Sequence, residues 1–303
     1  MKNITKDIIA VGSIALDSIE TVNGSKKNLI GGSATFFSIS ASLHANVKVV
    51  GIVGEDFPKE GWELFNSKKI DTNNVLIENG PTFRWGGKYN ADYSIRDTLF
   101  TELGVFEKFK PIINKDDRNA PLVFLGNIQP SLQLSVAKLM KSNEYIVTDT
   151  MNLWIDLFPN QLAEVLNISS ILLINHEEAE QYTGKSKIED AANTLLSLGP
   201  RVVVIKKGAE GAYLAYDQER VSVPVFPIDK VIDPTGAGDT FAGGFMGYLS
   251  QVDKPSFVEA VIWGSALASF CVEGFGVETL VKANKNKLLN RINTIKNIMI
   301  KQA

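Results

Sequence analysis

Six short runs of almost uninterrupted, mostly β-branched apolar residues, at 8–11, 47–53, 122–125, 145–148, 171–174 and 202–205, constrain this chain more than any other feature. A strand that is apolar on both faces has to be covered on both faces, as in a parallel sheet between layers of helix. Segments with helical spacing, at 34–43, 132–140, 162–166 and 188–198, fall between the runs. This alternation predicts a doubly wound, mostly parallel α/β core. Hydrophobic residues make up 45% of the 303, enough for one large core, and one main domain spanning 1–303 is expected.

Two segments break the alternation. Residues 17–30, and roughly 75–106 with Phe83, Trp85, Tyr89, Tyr93 and Ile95 at alternating or near-alternating positions, read as extended strands and predict a small accessory sheet. Near the carboxyl end, Leu288, Leu289, Ile292, Ile295 and Ile298 interrupt a lysine-rich tail (Lys282, Lys285, Lys287, Lys296, Lys301). That pattern belongs to an amphipathic helix with a solvated basic face.

Composition argues against several function classes. A net charge of −3 speaks against a nucleic-acid partner bound through a broad basic face. The single cysteine, Cys271, excludes an internal disulfide and sits in an apolar run, so it reads as a buried, idle thiol. Two histidines, His44 and His176, make no cluster for a transition metal. No apolar stretch reaches membrane-spanning length and the amino terminus has no signal-peptide core, so the expected location is the cytoplasm.

The chemistry is concentrated in residues 231–245. Gly236, Ala237 and Gly238 carry no bulky side chain, so successive backbone N–H groups can approach an anion at the start of the helix that continues through Phe241, Phe245 and Tyr248. A carboxylate beside such a phosphate site repels the ligand unless it has a separate task. For Asp239 that task is to take the proton of an attacking hydroxyl. Asp also caps helices, but the small-residue turn before it and Asp233 six positions upstream favour the general base.

This segment closely resembles the signature Asp-Thr-x-Gly-Ala-Gly-Asp of the ribokinase-like (PfkB) carbohydrate and nucleoside kinases, with Pro234 where Thr is commoner. The resemblance implies a ribokinase-like fold whose small sheet is a lid over the substrate cleft and, in many members, a dimer contact, hence a possible homodimer here. It also implies ATP and Mg²⁺ as cofactors. By the same resemblance Asp239 is the catalytic base, Gly236, Ala237 and Gly238 form the anion hole, and Asp233 with Thr235 lies near a monovalent-cation site, with K⁺ the candidate ion.

Further motifs extend the likeness along the chain. Gly31 and Gly32 precede a helix where backbone can approach a hydroxyl-rich group, and residues 51–56 supply the Gly-x-x-Gly-x-Asp that follows in the family. Asp17 stands where the family often has an acidic residue on substrate hydroxyls; it reads equally as a turn residue. Phe36 replaces an Asn that holds sugar hydroxyls in many relatives, and its ring either stacks on a substrate or packs in the core. Residues 149–152 resemble an Asp-x-x-Asn loop that places Asn152 near the cleft. Asn175 and Glu178 match Asn-x-x-Glu, which by resemblance places Mg²⁺ through waters against the nucleotide phosphates. Lys206, Gly208 and Gly211 match a nucleotide-side turn, with Lys206 facing either phosphate or solvent. Residues 184–186 imitate the end of a phosphate-binding loop but lack its first glycine, and read as a turn.

Together these readings predict an ATP-dependent kinase that phosphorylates a hydroxyl of a small carbohydrate or polyol. A nucleoside acceptor is the alternative, and a non-catalytic ligand-binding protein a third reading.

Overall fold

The computed structural model describes residues 5–93, 95–141 and 143–302. In chain order its elements are β1 (Asp7–Val11), β2 (Ala15–Thr21), β3 (Gly24–Gly31), α1 (Ser33–Ala41), β4 (Asn46–Gly54), α2 (Lys59–Ser67), β5 (Asp71–Glu78), β6 (Arg84–Tyr89) and β7 (Arg96–Glu102). There follow β8 (Leu122–Leu125), α3 (Pro130–Leu139), β9 (Tyr145–Asp149), α4 (Asn152–Leu157), α5 (Pro159–Ile168), β10 (Ile171–Asn175), α6 (His176–Thr183), α7 (Ile188–Leu196) and β11 (Val202–Lys206). The chain closes with β12 (Ala212–Tyr216), β13 (Glu219–Val223), α8 (Ala237–Leu249), α9 (Phe257–Cys271) and α10 (Lys285–Gln302).

All six apolar runs are strands of one nine-stranded sheet, ordered β13-β12-β11-β10-β9-β8-β1-β4-β5. From β11 to β5 every neighbouring pair is parallel; β12 and β13 add an antiparallel edge. β8 is buried at every position, as two-faced burial requires. The large apolar cluster on one face joins Phe36, Phe37, Phe124 and Phe245, with Phe37 stacked on Phe124 at 4.0 Å between ring centroids.

Chain order reverses between β1 and β8, since β1 leads to β4 and β5 on one side while β8 to β11 build out the other. In open α/β sheets a crevice forms at the carboxyl ends of strands beside such a reversal. The second, four-stranded sheet, β3-β2-β6-β7, leaves the core from that edge. It is mixed: β2 pairs antiparallel with β3 and parallel with β6, and β6 pairs antiparallel with β7.

One boundary of the accessory sheet needs correction. Residues 75–78, grouped with it on sequence, belong to β5, which pairs parallel with β4 at the rim of the large sheet, and 104–108 form a short 3₁₀ helix. Half-buried alternation looks the same in an edge strand as in a separate sheet.

The small sheet is fastened to the segment that leads into Gly236. Thr21 Oγ1 donates to the Ile232 carbonyl at 3.0 Å, Asn23 Nδ2 and Tyr93 OH both donate to the Val231 carbonyl at 2.9 Å, and Tyr89 OH pairs with Thr235 Oγ1 at 3.1 Å. Across the cleft mouth, Asp56 of the Gly-x-x-Gly-x-Asp segment accepts from Thr82 N–H at 2.7 Å and from Arg84 at 2.8 Å.

The carboxyl-terminal helix α10 inserts Leu288, Ile292 and Ile295 into the core, whereas Leu289 is 49% exposed and lies on the wet side. Ile295→Ala is expected to cost about 3 kcal/mol of stability through transfer loss and cavity formation. Leu289→Ala should cost under about 1 kcal/mol. Chemical denaturation of both variants checks the contrast.

Candidate active site

Three neighbouring parallel strands end in polar residues on the same edge of the sheet: β9 in Asp149, opposite Leu173, β10 in Asn175 and β11 in Lys206. Asn175 stands directly opposite Lys206 in the ladder. Asp149, which the sequence reading left out of the site in favour of Asn152, is buried and accepts from Lys206 Nζ at 3.0 Å. Asn152 itself is exposed at the start of α4, where its Oδ1 accepts from the N–H of Leu153 at 3.0 Å. The signal for Asp149 was present, since a carboxylate closing a buried strand needs a partner; its partner lies 57 positions away.

Asn175 and Glu178 form a capping box at the start of α6. Asn175 Oδ1 accepts from the Glu178 N–H at 2.8 Å, and Glu178 Oε2 accepts from the Asn175 N–H at 3.1 Å. This reciprocal pair fixes both side chains. Residues 184–186 are irregular chain between α6 and α7, with Gly184 the left-handed cap at the end of α6. Gly208 and Gly211 shape the turn from β11 to β12, closed by Lys207 N–H to the Gly211 carbonyl at 2.7 Å.

The small-residue turn leads directly into α8. Gly236 caps α8 at φ 76°, and a Cβ there would lie within 2.5 Å of the Phe36 ring. Phe36 is thereby accounted for: it is 1% exposed and packs beneath the turn, so the substrate-stacking reading gives way to the core one. Gly238 lacks a side chain where a Cβ would stand 3.1 Å from Lys206 Nζ. The open amino end of α8 and the Lys206 ammonium therefore face the same space.

Asp239 lies in the first turn of α8, and its buried Oδ1 accepts no hydrogen bond from the described residues. Burial first, then the Asp149 carboxylate, push its carboxyl up to about 7, against the opposing pull of Lys206. Glu178 is raised to about 7 by burial and then by Asp149. Lys206 is pushed down by burial, but the carboxylates of Asp149 and Glu178 outweigh this and hold it above the ordinary lysine value.

Asp17 faces the same cleft from β2. Its Oδ2 accepts from the Gly32 N–H at 3.3 Å, and a Cβ on Gly31 would stand 2.0 Å from that oxygen, so the paired glycines are what admit the carboxylate. Burial, opposed by the Gly32 bond and reinforced by Asp233, raises its carboxyl to about 7.

Asp233 is fully buried and clamps two loops. Its Oδ1 accepts from the Thr235 N–H at 2.9 Å, and its Oδ2 from the Gly276 N–H at 3.0 Å. Cys271 Sγ donates to the Thr235 carbonyl at 3.3 Å behind the turn, and burial pushes this thiol up to about 12, the state of an idle group.

The donor set suits Mg²⁺ better than a caged metal. Among the described residues no group of three His, Cys, Asp or Glu side chains could hold a metal ion. Glu178, with Oε1 outside the capping box, would offer one of the few carboxylate contacts Mg²⁺ takes when phosphates and waters supply the rest. No described helix is long and apolar enough to cross a membrane.

Raised carboxyls make a testable statement about stability. Between pH about 4 and about 7 the unfolded chain ionises Asp239 while the folded chain holds its proton, so stability falls as pH rises through that window. Asp239→Asn removes this penalty. The variant should melt at the same temperature as the parent near pH 4 and several degrees higher above pH 7, as followed by calorimetry.

The chain has counterparts among known proteins. The cytidine kinase of Thermococcus kodakarensis is 32% identical over 81% of this chain and 89% of its own length. The nucleoside kinase of Methanocaldococcus jannaschii, described as an archaeal member of the ribokinase family, superposes with a TM-score of 0.79 at 22% identity, covering 96% of this chain and 99% of that one. An E. coli structure described as a putative ribokinase II in complex with ATP and Mg²⁺ superposes at 0.79 with 17% identity, covering 97% and 99%. Residues 5–284 match the pfkB carbohydrate kinases, and the chain belongs to that family: it is a ribokinase-like phosphotransferase whose acceptor is a hydroxyl group.

Proposed function

We propose that this chain transfers the γ-phosphoryl group of ATP to a hydroxyl of a ribose-type sugar carried in a nucleoside. The observation that carries the reading is the single space shared by Asp17, Asp239 and the open amino end of α8, which suit a diol acceptor, a base and an anion hole. A carboxylate such as Asp17, held by the Gly32 N–H, suits two neighbouring hydroxyls. The 32% identity to a cytidine kinase favours a nucleoside, and so does the aromatic cluster of Trp85, Tyr89, Tyr93 and Phe275 beside the turn, whose flat faces suit a base. A free sugar or polyol is the second reading, favoured by Asp17, which needs only the diol.

In this mechanism Asp239 takes the proton of the attacking hydroxyl, and the N–H groups of Gly236 to Gly238 face the charge that develops on the transferred group. Glu178, its orientation fixed by Asn175, would hold Mg²⁺, which would neutralise charge on the phosphates when bound. The rest is positioning, as in phosphoryl transfer generally. Asp233 has both oxygens on backbone N–H groups, so a K⁺ at these loops would rest on backbone carbonyls; rates with and without K⁺ decide it. The edge strand β7, exposed at every position and carrying Leu99 and Phe100, would be the surface for a homodimer.

Acceptor-dependent ADP release, measured over a panel of cytidine, adenosine, inosine, ribose, fructose and inositol, tests the reading. Release with nucleosides and not with free sugars supports it; the reverse pattern selects the second reading. Asp239→Asn should lower kcat by about 10²- to 10⁴-fold, the scale of general-base loss. A base at about 7 must be ionised to work, so kcat/KM should rise with pH up to about 7 and level off above it.

A further inference from the structure

The geometry points to Lys206 as the ammonium that binds the phosphoryl group in transit, with Asp149 the positioning residue that aims it. This rests on the kinase reading above and adds a residue to it.

The local charge balance requires such a group. Asp17, Asp149, Glu178 and Asp239 line one cleft that must also accept a polyphosphate, and burial makes their repulsion strong. Lys206 lies half-buried among them, its ammonium 3.0 Å from Asp149 Oδ1 and acting on both Glu178 and Asp239. It also stands beside Gly238, at 3.1 Å from where a Cβ would be. A side chain on residue 238 would fill the gap between the ammonium and the open end of α8; glycine keeps it clear. A buried lysine ordinarily needs only one carboxylate partner. This one has Asp149 on one side and, on the other, the space facing backbone donors, which is where an incoming anion completes its coordination.

The transfer step balances without a proton from Lys206. A bond forms between the acceptor oxygen and the γ-phosphorus, and the bond from that phosphorus to the β–γ bridging oxygen breaks, its electron pair leaving with ADP. The hydroxyl proton goes to Asp239. Lys206 offsets charge on the equatorial oxygens throughout. Its neighbour Lys207 takes no part; it is paired with Glu210 at 3.4 Å on the surface.

The test pairs chemistry with a binding readout that needs no acceptor. Lys206→Met should lower kcat by about 10²- to 10³-fold, the scale of losing one oxyanion donor, with the acceptor KM changed less than about threefold. By calorimetry with Mg²⁺ present, the ratio of ATP to ADP affinity should fall about tenfold, because the contact is to the γ-phosphoryl group. Lys206→Met leaves Asp149 buried and unpaired, which threatens folding. The double variant Lys206→Met, Asp149→Asn removes both charges and should recover the parent melting temperature without recovering transfer or the affinity ratio. A ratio unchanged within twofold overturns the proposal, as does a double variant with parental kcat, which would make the pair purely structural. If the parent phosphorylates nothing in the acceptor panel, the acceptor reading fails while the affinity ratio still decides the role of Lys206.

Discussion

The parallel pairing of neighbouring strands is the constraint on which the rest of this molecule depends. Because β9, β10 and β11 run side by side in one direction, their carboxyl ends open on one edge: Asn175 and Lys206 end opposite each other, β9 stops opposite Leu173, and the long Lys206 side chain reaches back to Asp149, 57 positions earlier in the chain. The helix after β10 then brings Glu178 back over the same edge, and α8 points its amino end at it. No loop has to be long or unusually shaped to assemble the cluster.

The cluster is assembled against its own electrostatics. Burial and mutual repulsion hold Asp17, Glu178 and Asp239 protonated to about pH 7, where isolated carboxyls are ionised. Such a site is unstable by itself and is relieved by cations and by a substrate proton, which are what a phosphoryl-transfer reaction brings to it. The stability given up here is recovered in the apolar layers on the two faces of the large sheet.

Local pattern and long-range pairing divided what the sequence could reveal. The six apolar runs became strands within one or two residues of their predicted limits, since two-faced burial leaves a composition readable in a short window. The turn at Gly236 and the start of α8 were legible because small residues in series mark a close approach of backbone, which here is to the Phe36 ring. Residues 75–78 were misplaced because alternation reports half-burial and not the partner, which is β4. Phe36 was ambiguous for a similar reason: the sequence shows an aromatic ring on a helix, and only the structure shows Gly236 lying on its face. Asp149 was overlooked because its meaning resides in Lys206, and a partner 57 residues away leaves no mark on local periodicity.

The grip of the small sheet on residues 231–235 has a mechanical consequence. Tyr89 holds Thr235, while Thr21, Asn23 and Tyr93 hold the carbonyls of Val231 and Ile232, so the sheet and the turn cannot move independently. On its other side Thr235 is tied through Asp233 to Gly276. A displacement of the sheet is transmitted along these bonds to the N–H groups at the open end of α8. In the mechanism proposed above, the sheet and the anion cradle thus form one lever, and an acceptor that fits beneath the sheet also sets the geometry of the donors that meet the transferred group.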